Sequence, residues 1–189
     1  MIKKLLIVVF AILILLGGGA YFWYKNIHNN LMQSEIEIKE HWTNIEKEYK
    51  NFTKIVPDLS PVIIDYVKND QQLLDKVTET HKRIDGMTIN MDKFDKQEMK
   101  QYIQSQDEYV DLVNHLLFRV RVYPDLNAEN SFKEIQTRLK DAGKNILSAK
   151  IKYNETVLKY NTKITGFPVY IVVNAAGLRE KPYFQSDNQ

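Results

Sequence analysis

Between Phe132 and Phe167 apolar residues recur at Phe132, Ile135, Leu139, Ala142, Ile146, Ala149, Tyr153, Val157, Tyr160, Ile164 and Phe167. The intervals are threes and fours, with two fours together only at Ala149, Tyr153 and Val157. Ten intervals over the 35 steps from residue 132 to residue 167 average 3.5, the coiled-coil repeat that keeps one helix face turned to its neighbours. At 1.5 Å of rise per residue this predicts a helix of roughly 50 Å. Such a stripe cannot bury itself, so partner helices must lie alongside.

Three more segments carry the same pattern. Ile38, Trp42, Ile45, Tyr49, Phe52 and Val56 form one stripe, which Pro57 and Pro61 are expected to end. Ser60-Pro61 then reads as the cap of a second helix through Ile63, Tyr66, Leu73, Leu74, Val77 and Ile84, closed by Gly86. The stretch from Asp85 to Asp92 is the most loop-like. A third helix carries Tyr102, Tyr109, Val113, Leu116, Val120 and Tyr123 and stops at Tyr123-Pro124-Asp125. Ser131 with Glu134 resembles a capping box at the start of the long helix, and Gly166 with Pro168 end it. The fold class that follows is all-α: a transmembrane helix, then an elongated antiparallel up-down-up-down four-helix bundle. The aromatic seam of Tyr49, Phe52, Tyr66, Tyr109, Tyr153 and Tyr160 is expected to be core.

The amino terminus changes this picture. After Lys3 and Lys4 come twenty uncharged residues, Leu5 to Tyr24, the length needed to cross about 30 Å of hydrocarbon. A cleaved signal peptide with a small-residue site at Gly18-Gly19-Ala20 is the competing reading. The run into Tyr21, Phe22, Trp23 and Tyr24, followed by Lys25, favours an uncleaved anchor with an interfacial aromatic belt. Anchor positions are Leu5, Phe10, Leu16, Trp23 and Tyr24. The expected layout is residues 1–4 as a basic leader, 5–24 as the span, 25–168 as the bundle and 169–189 as a tail, apolar then polar. Lys3 and Lys4 place the amino terminus in the cytoplasm and the bundle on the extracytoplasmic side of a bacterial inner membrane.

Two surfaces stand out. Val56-Pro57-Asp58-Leu59 and Tyr123-Pro124-Asp125-Leu126 echo each other where an outgoing helix meets a returning one. Pro57, Asp58, Pro124 and Asp125 are therefore a candidate partner tip, although Pro-Asp is also ordinary turn chemistry. Phe167, Pro168, Tyr170 and Ile171 begin an apolar run too short to span a bilayer; they form a candidate membrane-proximal cap, or a segment lying on lipid.

Composition mostly excludes. The 189 residues hold 26 Lys plus Arg against 24 Asp plus Glu, a net charge of +2, and no basic block interleaved with aromatics, so nucleic acid is not an expected partner. With no cysteine there is no disulfide, thiolate metal site or cysteine nucleophile. Seven glycines and five prolines suit long helices with few turns. His28, His41, His81 and His115 have no second ligand at metal spacing, and no phosphate loop or nucleophile elbow occurs. Carboxylates such as Glu46, with Lys50 beyond it, read as a solvated face. No cofactor, metal, catalytic residue or small-molecule substrate is expected.

Several runs resemble the LemA family of bacterial membrane-anchored helical proteins. They are Tyr123 to Phe132, Lys152-Tyr153-Asn154-Glu155, Tyr160-Asn161-Thr162-Lys163-Ile164, Phe167-Pro168 and Lys181-Pro182-Tyr183-Phe184, with Trp42, Ile45 and Ile55 to Leu59 matching more loosely. Asn51 and Phe52 stand where members usually carry two basic residues, and Gly86 to Lys100 match little. The resemblance implies an anchor, an antiparallel bundle and no established catalytic site. The resemblance also implies that one branch is similar to proteins needed for building magnetosome membranes, that membrane proteases are candidate partners, and that some members keep the bundle in the cytoplasm. Three functions are thus in play: a non-catalytic scaffold or adaptor for protein partners, a membrane-remodelling or lipid-surface protein acting through its tail, and, least supported, an enzyme or metal carrier.

Overall fold

A computed structural model describes residues 2–67, 70–91, 93 and 96–185, the side chains of Ile2 and Leu5 excepted. Asp92 and the end of the tail from residue 186 lie outside the described residues. Six helices account for the described fold: α1 (Ile2–Ile63), α2 (Gln71–Ile84), α3 (Lys96–Val120), α4 (Pro124–Ala128), α5 (Asn130–Thr165) and α6 (Val169–Ala176). No strand occurs among the described residues.

The chain forms two compact units. One takes the residues up to Ile38 together with Thr156–Lys181; the other takes Lys39–Glu155 and the residues from Pro182 on. In the second unit, side-chain pairs fix the helix directions. Trp42 meets Tyr102 and Phe52 meets Tyr109, so α1 and α3 run the same way. Arg83 pairs with Glu108 and Arg119 with Asp70, so α2 runs against α3. Trp42 meets Tyr153 and Asp58 pairs with Arg138, so α5 runs against α1. That is the up-down-up-down order.

The stripe from Phe132 to Ile164 is buried at every position. Trp42, Ile45, Tyr49, Phe52, Tyr109, Val113 and Leu116 are buried on the facing helices. Each such side chain contributes about 1.5–3 kcal/mol when removed from water, which is what offsets the ordering of long helices.

Helix boundaries depart from the expected ones in four places. Pro57 and Pro61 do not end the first helix; both lie inside α1. Ile55, Val56, Leu59 and Ile63 around them are buried, and that packing holds the last two turns against the lost amide hydrogens. Ser60 therefore caps nothing: Tyr66 sits in the following turn, half-buried against Tyr123, and α2 begins only after Asp70. The echo of the two Pro-Asp runs is also not a pair of equal turns. Pro57-Asp58 is helical, whereas Pro124 opens the short α4, an element the periodicity missed. Finally, Ser131 and Glu134 make no capping box, because α5 begins at Asn130 and the Ser131 hydroxyl faces Glu129 instead.

Phe167 falls beyond the end of α5 and is exposed, joined to Pro168 by a cis peptide bond. The residue that closes α6 is Gly177, at φ 67°. Its N–H bonds Asn174 O and the Leu178 N–H bonds Val173 O at 3.0 Å, the bond pair of a Schellman motif.

Candidate functional site

In the second unit, polar groups converge on Asp107 of α3. Its Oδ1 accepts from the Tyr49 hydroxyl at 2.5 Å and from Lys150 Nζ at 2.7 Å. Lys150 also lies over the Tyr49 ring, 5.4 Å from its centroid, and over the Phe184 ring at 4.6 Å. Burial, and after it the Asp107 carboxylate, push the Tyr49 phenol far above its usual pKa. Burial likewise raises Tyr102, Tyr109 and Tyr153. These phenols stay protonated at neutral pH and tie helices together.

The chain after α6 is extended and held by asparagine side chains of α5. In the second unit, Asn154 Nδ2 donates to Phe184 O at 3.0 Å while its Oδ1 accepts the Phe184 N–H at 2.7 Å. The Tyr153 hydroxyl donates to Pro182 O at 2.9 Å, and the Phe184 ring is buried near Trp42. In the first unit, Asn161 clamps both backbone groups of Lys181 in the same manner, at 2.9 and 2.8 Å. There the Lys181 ammonium pairs with Glu35, which also accepts from the Tyr160 hydroxyl at 3.0 Å. Burial, then Glu35, raises the Tyr160 phenol. Periodicity gave no sign of either clamp. Yet Asn154, Asn161, Lys181 and Phe184 all belong to the runs that carry the family resemblance.

The expected tip residues Pro57, Asp58, Pro124 and Asp125 are all exposed. Around them, the Tyr66 and Tyr123 rings meet at 5.3 Å, tilted by 55°, and Asp58 binds Arg138 at 3.1 Å. Asn127 donates to the carbonyls of Arg121 and Tyr123 at 2.7 and 2.8 Å, which is what makes the turn after α3 tight. The sequence reading missed Phe118 and Val122, which are 68% and 73% exposed close to this turn. Phe118 also lines a cleft of about 800 Å³ with Asp70, Leu73, Lys76, His115 and Arg119. The available signal was their spacing of four, out of phase with the buried Leu116 and Val120.

Of the anchor positions, Phe10, Leu16 and Trp23 are exposed and Tyr24 is half-buried; the side chain of Leu5 lies outside those described. The amino-terminal part of α1 is long and apolar enough to cross a membrane, and none of that stretch is buried. At the other candidate surface Phe167, Tyr170 and Ile171 are exposed and Pro168 is half-buried, while the neighbouring Val172 and Val173 are buried.

Among the described residues no group of three or more His, Asp or Glu could hold a metal ion. His81 Nδ1 lies 2.8 Å from the Tyr109 hydroxyl, a helix-to-helix contact. Glu46, expected on a solvated face, is half-buried and accepts the Ile89 N–H at 3.1 Å, holding the loop after α2 to α1.

An all-helical chain led by a long apolar helical stretch that is exposed defines a class of helical proteins with a candidate membrane span. Known proteins narrow the class. The LemA family profile matches residues 41–189, and the chain belongs to the LemA family. It is similar to Protein LemA of Metamycoplasma hominis, 25% identical over 166 residues, covering 88% of this chain and 72% of that one.

Proposed function

We propose that the chain is a membrane-anchored, non-catalytic helical scaffold at the bacterial cell membrane, docking a protein partner at the Phe118 end of its second unit. The observation that carries this reading is the exposure of Phe118 and Val122, 68% and 73%, beside a cleft rimmed by the Asp70–Arg119 ion pair. Large apolar side chains grouped on a surface and edged by charge are the usual anchors of protein interfaces. Buried polar groups such as the Tyr49 hydroxyl and Asp107 Oδ1, by contrast, are engaged in helix-to-helix bonds.

A photo-crosslinking residue at His115, in the full chain in native membranes, should yield one discrete adduct. The double variant Phe118→Asp/Val122→Asp should lose that adduct while keeping its helical content. An adduct pattern indifferent to both substitutions would remove the Phe118 surface from the reading. Lys3 and Lys4 on the short leading segment favour the extracytoplasmic side for the helical bundle that follows the span. Because the chain lacks cysteine, Phe118→Cys supplies a single thiol; an impermeant maleimide should label it in intact spheroplasts, and labelling only after lysis would reverse the orientation.

A further inference from the structure

The first unit holds a second apolar surface besides the candidate span, and its height along α1 can be read from the bonds. Tyr160 donates to Glu35, which sets those two residues at one level. From Tyr160, α5 runs on towards the amino-terminal end of α1, where Leu31 is fully buried. The five residues from Tyr160 to Thr165 rise about 7.5 Å, to the level of residue 30 on α1. Tyr24, at the end of the apolar stretch, is only about 9 Å further along. Phe167 follows two residues after the end of α5, so the chain turns into α6 from the level on α1 just beyond the aromatic belt of Tyr21, Phe22, Trp23 and Tyr24.

Three observations agree on what meets this surface. Phe167 is 81% exposed, and Tyr170 and Ile171 are about half exposed, on the one face of α6 that the unit leaves uncovered, while Val172 and Val173 on its other face are buried. The headgroup layer of a bilayer is roughly 5–8 Å deep on each side, comparable with the ~9 Å that separate Tyr24 from the level at which α5 ends. The charge is one-sided as well: no Asp or Glu precedes Glu35 and none falls between Thr156 and Arg179, whereas Lys25 and Lys163 are exposed. Cations without neighbouring acids at that depth suit anionic lipid headgroups.

We infer that α6 is an interfacial helix: it lays Phe167, Tyr170 and Ile171 into the headgroup boundary of the same leaflet that α1 leaves, with Lys25 and Lys163 on anionic headgroups. The occupant of this face is lipid. The contact gives the chain two membrane attachments, one through the bilayer and one along its surface, which fixes how the first unit stands on the membrane. The inference rests on α1 spanning the bilayer.

The full chain lacks cysteine, so Leu15→Cys, Tyr170→Cys and Ile36→Cys each give one site for a bimane label. Each is reconstituted into mixed phosphatidylcholine and phosphatidylglycerol vesicles containing lipids brominated at shallow or deep positions. The label at 170 should lose emission with shallow bromines, and the label at 15 with deep ones. The label at 36, exposed but about 18 Å along α1 from Tyr24, should lose none. Deep quenching at 15 with none at 170 overturns the inference and leaves the span standing. No quenching at 15 overturns the span itself, and equal quenching at 170 and 36 shows a label effect and overturns the assignment of α6.

Discussion

Tyr49 on α1 gives its hydroxyl hydrogen to Asp107 on α3 across 2.5 Å, and the oxygen that accepts it is the one Lys150 of α5 also binds. A single carboxylate oxygen thereby joins three helices that are far apart in sequence. The other oxygen, Oδ2, is buried without a hydrogen-bond partner. The whole polar contact therefore depends on Oδ1.

Removing the Tyr49 hydroxyl should be felt. A hydrogen bond to a charged group contributes about 1.5–3 kcal/mol. Tyr49→Phe keeps the ring and its contact with Tyr102, so the loss is that of the bond alone. We expect a destabilisation in that range from thermal melts followed by circular dichroism. A double-mutant cycle with Asp107→Ala should return a coupling of about 1 kcal/mol or more. Additive effects would mean the short contact carries no energy.

The buried tyrosines set a limit on alkaline stability. Tyr49, Tyr102, Tyr109, Tyr153 and Tyr160 all have folded-state pKa values raised above the ordinary phenol value, by burial first of all. A raised pKa means that the unfolded chain releases protons before the folded one does. The stability these groups carry is full below the unfolded value of about 10 and falls as pH rises through it, by about 1.4 kcal/mol per pH unit for each tyrosine that stays protonated. Melting temperature should therefore be insensitive to these phenols at pH 7–9 and drop steeply above. The ultraviolet band of tyrosinate should grow in step with loss of helix. Gradual tyrosinate formation with helicity intact would contradict the burial.

Which of these features could be read in advance depends on their period. The stripe on α5 was legible because burial repeats every three or four residues, and Phe132, Tyr153, Val157 and Tyr160 are all buried as the spacing requires. Phe167 fits the spacing and is exposed, since the helix it was counted on ends at Thr165. Local rules failed where tertiary packing outweighed them. Pro57 and Pro61 should stop a helix, but Leu59 and Ile63 hold theirs in the core. The asparagine clamps were out of reach for another reason. Asn154 and Asn161 look like any half-buried polar residues, and their partners are backbone atoms of Phe184 and Lys181, to which the hydrophobic pattern is blind. Phe118 was passed over because a single exposed apolar residue is common; its place beside a cleft gives it meaning.

Glycine offers a contrast within one short stretch. Gly166 stands where α5 ends but is not left-handed, and a Cβ there would meet only Lys163 O at an ordinary 3.6 Å. Gly177 has φ 67° and forms the Schellman turn that releases the chain from α6. A left-handed conformation costs an ordinary residue about 1–2 kcal/mol. Gly177→Ala should lose stability on that scale, while Gly166→Ala should be neutral or slightly stabilising. Equal melting temperatures for the two variants would overturn the assignment of Gly177 as the turn residue.

The clamps on the extended segment after α6 make the most local prediction. Each asparagine satisfies one donor and one acceptor of a segment that belongs to no sheet, so Asn154 and Asn161 supply what a neighbouring strand otherwise would. Removing one side chain leaves two backbone groups of the segment without partners. Asn154→Ala should cost about 1–3 kcal/mol in local opening at Phe184, with faster exchange of its amide hydrogen. Asn154→Asp tests the donor and acceptor separately: a carboxylate still accepts the Phe184 N–H but can no longer donate to Phe184 O. Its Phe184 amide should therefore stay better protected than in Asn154→Ala. In Asn161→Ala the slow amide to be lost is that of Lys181, whose ammonium remains beside Glu35 and keeps part of the attachment. If both alanine variants left the Phe184 and Lys181 amides as protected as before, the Phe184 ring, the Tyr153 hydroxyl and the Lys181–Glu35 pair would be holding the segment without the clamps.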